Sequence, residues 1–591
     1  MANSIINANG ISVGNDGKIK ISGFSSNIDS KAIIDAQVAA RRQPAVRLET
    51  KITNNNTLVS AYKELKGFTA SLTSSLDKLR SAPGSSVDVF NNKTASGTTV
   101  AATGAPSGFV PSDINSLLLT SIGPTAQNGT HTIKIQQVAK AQQIRGDALS
   151  STSASLSSLG IPTGSFTLNG KTITVSATDT LQDLRAAINT AGAGVNATIV
   201  SASATTNYLV LTSSQTGVAN QVTFGGSNSI PAALGLTTGA GAIKTQLTAA
   251  QDAILDVNGV TGITRSTNAV SDVLTGVTLN LLKAEPNTEI TLKIEPDLNS
   301  IKTALADFVK AYNDLRDYYN NQRTAADRND DGKVDDNELG PLAYDQRLRD
   351  IVGRMGLLVS NTMDANADGF RSLGQLGITM GADYKLQVND ATLDNRLLSN
   401  VGEVRKLFGF TSSTNDSRLT VVNRTAKTQS GTYYLNLAGT DAGGNITSAN
   451  FRTTAGSGAG GTNDGTAVYA GQSITSRLGN SEGLNVFFAG AASLGPVNDI
   501  SITIQRGIAD QFYDFFNDQS RAGIGSLDTA ISQINQQNTD YTDRIEVIDT
   551  RLTVLRQTLE AKFVRMETAL SQLENLRNTI QNYINSNNQG N

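Results

Sequence analysis

Between Ile524 and Tyr583 the chain repeats apolar residues at alternating steps of three and four: Leu527, Ile531, Ile534, Tyr541, Ile545, Ile548, Leu552, Leu555, Leu559, Met566, Leu573, Leu576, Ile580 and Tyr583. Asn538, Lys562 and Ala569 stand in the same series. A mean step of three and a half residues brings every member to one side of a helix, so the spacing predicts a long helix with a coiled-coil seam. Such a stripe is buried only by another helix. Asn538 at a seam position would fix the register of that pairing, and Phe563 and Leu570 widen the stripe enough to predict contact with more than one neighbour.

The other end of the chain offers a partner. Residues 28 to 82 also space their apolar residues at helical intervals, with Asp29 as a candidate cap, Pro44 expected to divide the helix, and Pro83-Gly84 as the stop. Leu48, Ile52, Val59, Tyr62, Leu65, Leu72, Leu76 and Leu79 form the stripe of the second segment. Two terminal rods with one apolar face each predict pairing of the chain's own ends, with contacts to other chains near the ends as an added use.

Between the rods the pattern changes to short alternating strands punctuated by Gly, Ser, Thr and Asn. In SFTLNGKTITV, Asn169-Gly170 predicts a two-residue hairpin turn, and TLQDLRAAINTA predicts a short helix after it. The fold class that follows is multidomain α+β, an antiparallel helical coiled-coil stalk from both chain ends with inserted β-rich head domains. The expected division places terminal helical segments at 1–45 and 555–591, mobile until assembled. A leg or stalk domain follows at 46–85, 298–410 and 506–554. One β-rich head spans 86–128 and 246–297, a second spans 129–245, and an inserted β-rich domain occupies 411–505.

Composition narrows the chemistry. The 591 residues contain no cysteine and no tryptophan, so disulfides and thiolate metal sites are excluded, and the one histidine, His131, reads as a strand surface residue rather than a catalytic base. A net charge of −3 gives no basic field for nucleic acid, and no apolar run reaches the length of a membrane span. The N-terminus lacks a cationic start and an apolar core, which predicts either a cytosolic protein or export without a cleaved signal peptide. A structural or binding role is expected, not an enzyme, with a carboxylate-based hydrolase as the remaining catalytic alternative. Gly10-Ile11-Ser12-Val13-Gly14 matches a nucleophile elbow only in letters, and residues 164 to 172 read as a hairpin, not a phosphate loop.

One motif does carry specific chemistry. In DRNDDGKVDDNE, residues 327 to 338, oxygen-bearing side chains fall at loop positions one, three, five, nine and twelve: Asp327, Asn329, Asp331, Asp335 and Glu338. Gly332 takes the sharp turn at position six, Lys333 offers a backbone carbonyl at seven, and Val334 is the apolar eighth residue, as a calcium loop requires. One bound Ca²⁺ is expected. Gly340-Pro341 interrupts the exit helix, which suits a rigid clasp. A second start, Asp364, Asn366, Asp368 and Gly369, has Arg371 in the apolar slot and Gln375 at the terminal position, and reads as a turn.

Several segments resemble the bacterial flagellar filament-cap family, flagellar hook-associated protein 2 or FliD. These are GFSSNIDSKAIIDAQVAARRQPAVRLE at 23 to 49, GTHTIKIQQVAKAQQ at 129 to 143, residues 250 to 282 and FVKAYNDL at 308 to 315, in collinear order. Residues 164 to 217 resemble the flagellin IN motif through Asp179-Thr180-Leu181, Ala187-Ile188-Asn189, Val195, Thr212-Ser213 and Thr216-Gly217. The resemblance implies a non-enzymatic homo-oligomeric ring capping the distal filament tip. It would promote insertion and folding of exported flagellin and prevent its loss. It also implies an extracellular, secreted location and roles in motility, with flagellin, hook–filament junction proteins, the flagellar export apparatus and a chaperone as partners. A surface adhesin acting in cell adhesion, or a filament subunit, is the alternative.

Overall fold

The computed structural model describes residues 11–13, 19–21, 29–83, 85–324, 339–360, 362, 369–454, 467–477 and 479–588. Its principal helices are α1 (Ser30–Leu79), α2 (Leu181–Thr190), α3 (Leu298–Arg323), α4 (Gln346–Ser360), α5 (Asp390–Phe408, broken at Asn400), α6 (Ile508–Ser520) and α7 (Ser526–Asn588). The chain divides into two compact units, Asp88–Thr303 and the combination of Met1–Val87 with Ala304–Asn591.

The unit Asp88–Thr303 holds two cores. In the first, a five-stranded antiparallel sheet runs in the order Val260–Arg265, Ala253–Val257, Gly129–Gln137, Thr288–Pro296, Lys93–Ala101. It shares a core with a three-stranded sheet, and Ile133, Ile135, Leu255, Leu279, Ile290 and Leu292 are buried in it. The segment enters and leaves by neighbouring strands, Lys93 standing opposite Pro296. Glu285 ties the strap before the first short helix to this core. Hydrogen bonds from the Ser112 hydroxyl (2.6 Å) and the Ser112 N–H (2.8 Å), with help from Thr288 and Lys283, hold its carboxyl down at about 2.

The second core lies between residues 144 and 236. Asn169 (φ 46°) and Gly170 (φ 77°) make the expected turn, pairing Phe166 with Ile173. α2 begins in a capping box in which Thr180 and Asp183 satisfy each other's backbone N–H, and its Leu181, Leu184 and Ile188 are buried in this core. Lys140 and Gln251 exchange backbone hydrogen bonds at 2.8 and 3.1 Å where the chain enters and leaves. The expected division at residue 129 is therefore displaced. The strand Gly129–Gln137 lies between Ala253–Val257 and Thr288–Pro296, because its alternate residues Ile133 and Ile135 face the first core.

In the other unit α1 is a single helix of 50 residues, about 75 Å long at 1.5 Å per residue. Pro44 does not divide it. The proline removes one hydrogen bond, but contacts to α7 hold the backbone on either side: Arg42 pairs with Asp549, and Ala45 is fully buried. Asp29 caps the helix by accepting from the Ala32 N–H at 2.9 Å. The C-terminal half of α1 lies in a helical bundle, with Leu65, Leu72, Leu76 and Leu79 wholly buried. Each such leucine contributes about 2 kcal/mol. Tyr318 of α3 donates to the Ala61 carbonyl at 2.7 Å and packs against the Phe68 ring, while Lys78 pairs with Asp307 at 2.8 Å.

Between α5 and α6 stands a sandwich of two four-stranded antiparallel sheets. One runs Phe410–Thr414, Val497–Arg506, Gly431–Thr440, Ile446–Arg452, and the other Leu419–Asn423, Asn485–Phe488, Ser473–Ser476, Ala467–Ala470. Phe451, Val486, Phe488 and Ile502 lie at its centre with no exposed surface. Phe410 pairs with Arg506, so entry and exit again touch. Gly507 permits this approach: a Cβ there would lie 2.3 Å from the Phe408 carbonyl carbon.

A buried charge cluster joins this sandwich to α6. Arg424 and Arg506, 3% and 9% exposed, converge on Asp510, which is fully buried, and on Asp514. Arg506 donates to Asp510 and Asp514 at 2.7 Å each, and Arg424 donates to both, at 2.8 Å to Asp514. Burial opposes the Arg424 charge, and the two carboxylates outweigh it, so its pKa is raised. Removing one carboxylate leaves buried guanidinium charge uncompensated. Asp510→Asn should therefore destabilise the sandwich and its junction with α6 by about 3–5 kcal/mol. Urea unfolding, with amide exchange read in Gly431–Thr440 and Val497–Arg506, checks this; a loss below about 1 kcal/mol would refute it.

Candidate assembly interface

The two terminal helices run antiparallel in one register. Lys66 pairs with Asp528 at 2.5 Å, Arg42 with Asp549 at 2.9 Å, and Asp35 with Arg556. Lys51 lies 5.6 Å above the Tyr541 ring. Arg42 also holds Glu49 at 2.8 Å, and the two carboxylates, Asp549 foremost, raise its pKa. The Lys66 ammonium lowers the Asp528 carboxyl. Ladders of this kind at partly exposed sites add little energy each, but they penalise a shifted register.

At the middle of the pair Asn538 accepts from Asn55 at 2.8 Å and donates to Asn56 at 2.9 Å. A slip of one turn would leave these amides facing apolar neighbours, so the polar step specifies alignment. Along α7, Leu527 and Leu552 are buried. Ile531, Ile534, Asn538, Tyr541, Ile545, Ile548, Leu555 and Leu559 are half-buried among exposed neighbours. The seam spacing is thus reproduced in the burial up to Leu559.

Beyond it the pattern changes. Lys562 is exposed, and the half-buried positions are Met566 of the seam with Phe563 and Leu570 of the second apolar row. Arg556 already reaches Asp35 near the start of α1, and α7 continues from there to Asn588. Its last third exposes Leu573, Leu576, Ile580, Tyr583 and Ile584, with Leu573 61% and Tyr583 69% exposed. These residues form an apolar stripe that no described residue covers.

The six expected calcium ligands, Asp327, Asn329, Asp331, Lys333, Asp335 and Glu338, lie outside the described residues, as do Asp364, Asn366 and Asp368. Gln375, at the terminal position of the second start, is engaged within the fold. Its side-chain carbonyl accepts from the Arg371 N–H at 2.5 Å and caps a short 3₁₀ turn. His131 sits half-buried on a strand with its Nδ1 3.0 Å from the Asn258 amide nitrogen. No helix of the described residues is long and apolar enough to cross a membrane.

Residues 250–575 match the family described as flagellar hook-associated protein 2 C-terminus, more than half of the chain. The chain belongs to this family. Residues 26–142 match the N-terminal family of the same protein, and residues 164–215 match the flagellin hook IN motif. Flagellar hook-associated protein 2 of Aeromonas caviae is 29% identical over 407 residues, covering 66% of this chain and 81% of the relative. That of Escherichia coli K12 is 29% identical over 379 residues, covering 62% and 75%. Among solved structures, the D1-D2-D3 domains of the Escherichia coli flagellar cap protein FliD are 27% identical and cover 59% of this chain and 89% of that one, with a TM-score of 0.45.

The C-terminal family match ends at residue 575 and so takes in α7 as far as Leu573, the first residue of the exposed stripe. Sequence periodicity located the stripe of α7 and set its terminal segment off from residue 555, whereas the seam burial runs on to Leu559 because α1 reaches back to Ser30. The Asn55–Asn538–Asn56 contact gives a direct test of register. Asn538→Leu should stabilise the pair by about 1 kcal/mol and loosen its alignment. Because the chain has no cysteine, spin labels placed at Thr50→Cys and Asp543→Cys report one distance; the Leu variant should broaden it. An unchanged width would show that the asparagines do not set the register.

Proposed function

We propose that the chain is an oligomeric cap at the distal tip of a bacterial flagellar filament. It would act by contact, not by catalysis, to promote insertion of exported flagellin and to prevent its loss. The observation that carries this reading is the family match over both ends of the chain, joined to an α7 whose apolar stripe outruns its own partner helix. A helix built this way pairs intramolecularly as a coiled coil near the bundle and presents its far end to neighbouring copies and to flagellin. Several such contacts, each individually weak, would hold the tip yet let each subunit pass, as shared load permits. Partners at the hook–filament junction, in the export apparatus and among chaperones follow from the same family reading, as does export without a cleaved signal.

We further propose that residues 327–338 bind one Ca²⁺ through Asp327, Asn329, Asp331, the Lys333 carbonyl, Asp335 and Glu338, on the strength of their spacing. Glu338→Gln should abolish the melting-temperature difference between calcium and chelator. A response equal to wild type would place the cation elsewhere.

Deleting residues 563 to 591 tests the cap. All register contacts from Lys66–Asp528 to Asp35–Arg556 are retained in the shortened chain, so it should fold. Tip occupancy and filament elongation should fall to the level of cells lacking the protein. Full elongation, or label spread uniformly along the filament, would overturn the assignment.

A further inference from the structure

Leu58, Ala61, Tyr62 and Leu65 of α1 lie on a face that the bundle covers. Tyr318 of α3 reaches the Ala61 carbonyl, and Asp345, just before α4, accepts from the Tyr62 hydroxyl at 2.5 Å. Burial and the bond to Asp345 push the Tyr62 hydroxyl up to about 12. Two heptads towards the N-terminus the same face carries Pro44, Arg47, Leu48 and Lys51, and no residue of α3 or α4 lines the space beside them. With α7 these residues form an open groove of about 610 Å³. Leu48, Val547 and Ile548 supply its apolar floor, and Val547 is 49% exposed.

The walls are cationic. Arg47, Lys51, Arg544 and Arg551 face a single carboxylate, Asp543. Arg42 and Arg556, elsewhere on the same helix pair, are both engaged with acids of the partner helix. Arg47, Arg544 and Arg551, by contrast, have no ion pair among the described residues. Where the bundle covers this face the positions hold Ala, Tyr and Leu; where it is open they hold Arg, Leu and Lys. The geometry therefore continues an established helix-binding face, but with the opposite polarity.

We propose that this groove docks an acidic amphipathic α-helix of another protein. The apolar residues of the incoming helix rest on Leu48, Val547 and Ile548, and its flanking carboxylates meet the four cations. This site is distinct from the exposed end of α7 and does not depend on the cap reading.

The probe is a synthetic three-heptad peptide with Leu at the two seam positions and Glu at the positions flanking them, compared with the same peptide carrying Lys for Glu. Fluorescence anisotropy with the full chain at low salt should show the Glu peptide binding at least about 10-fold more tightly, with the preference shrinking as salt rises. The double variant Arg47→Glu/Arg551→Glu should lose that binding by about 10-fold or more. Arg47→Lys/Arg551→Lys should retain it, and an unchanged melting curve will show that the exposed substitutions leave the fold intact. Equal binding of both peptides, binding of neither, or indifference to charge reversal overturns the proposal. Loss of self-association in the charge-reversed chain without peptide also overturns it, because the occupant would then be a second copy.

Discussion

The large insertions among the described residues end beside the places where they began, and the antiparallel pairing that closes each one is the constraint on which the fold rests. Lys93 stands opposite Pro296, Lys140 opposite Gln251, and Phe410 opposite Arg506. Outermost, Asp35 meets Arg556. Closing a loop costs entropy that grows only slowly with its length, so a long insertion is tolerable provided its two ends are fastened. Each fastening uses means suited to its place: ladder hydrogen bonds at the heads, a glycine that lets backbones touch at Gly507, and ion pairs along the helix pair.

Two of the junctions show how differently polar groups can serve. Around Asp510 two arginines and two carboxylates are largely withdrawn from water and pair with one another, an arrangement whose value lies in the cost of breaking it. Along α1 and α7 the ion pairs remain near solvent, contribute little to stability, and act chiefly on alignment together with Asn538. The first kind makes a joint rigid. The second keeps two long rods in step while leaving the surfaces beside them available.

Local chemistry is legible from sequence wherever it is short-range. The Asn169-Gly170 turn, the Asp29 cap and the spacing of the α7 seam up to Leu559 all depend on residues a few positions apart. The departures come from distance. Pro44 forecasts a break only if the helix stands alone, and the strand Gly129–Gln137 joins the other head because its partners lie far onward in the chain, at Ala253–Val257 and Thr288–Pro296. The half-burial of Phe563 beside an exposed Lys562 and the gathering of arginines in the groove need the register of two helices, which no local pattern encodes. The proposed calcium loop rests on its spacing alone.

The meeting of Asp35 with Arg556 also imposes an order on events. Whichever end of the chain becomes free first, its long helix has no complement until nearly all the remaining residues have followed. The units between can form from contacts closer in sequence, and so are able to fold while that helix waits. Completion of the rod thus waits on both of its helices. A molecule truncated before α7 would carry well-formed heads on an unzipped stem and would lack the surface that any assembly through that stem requires.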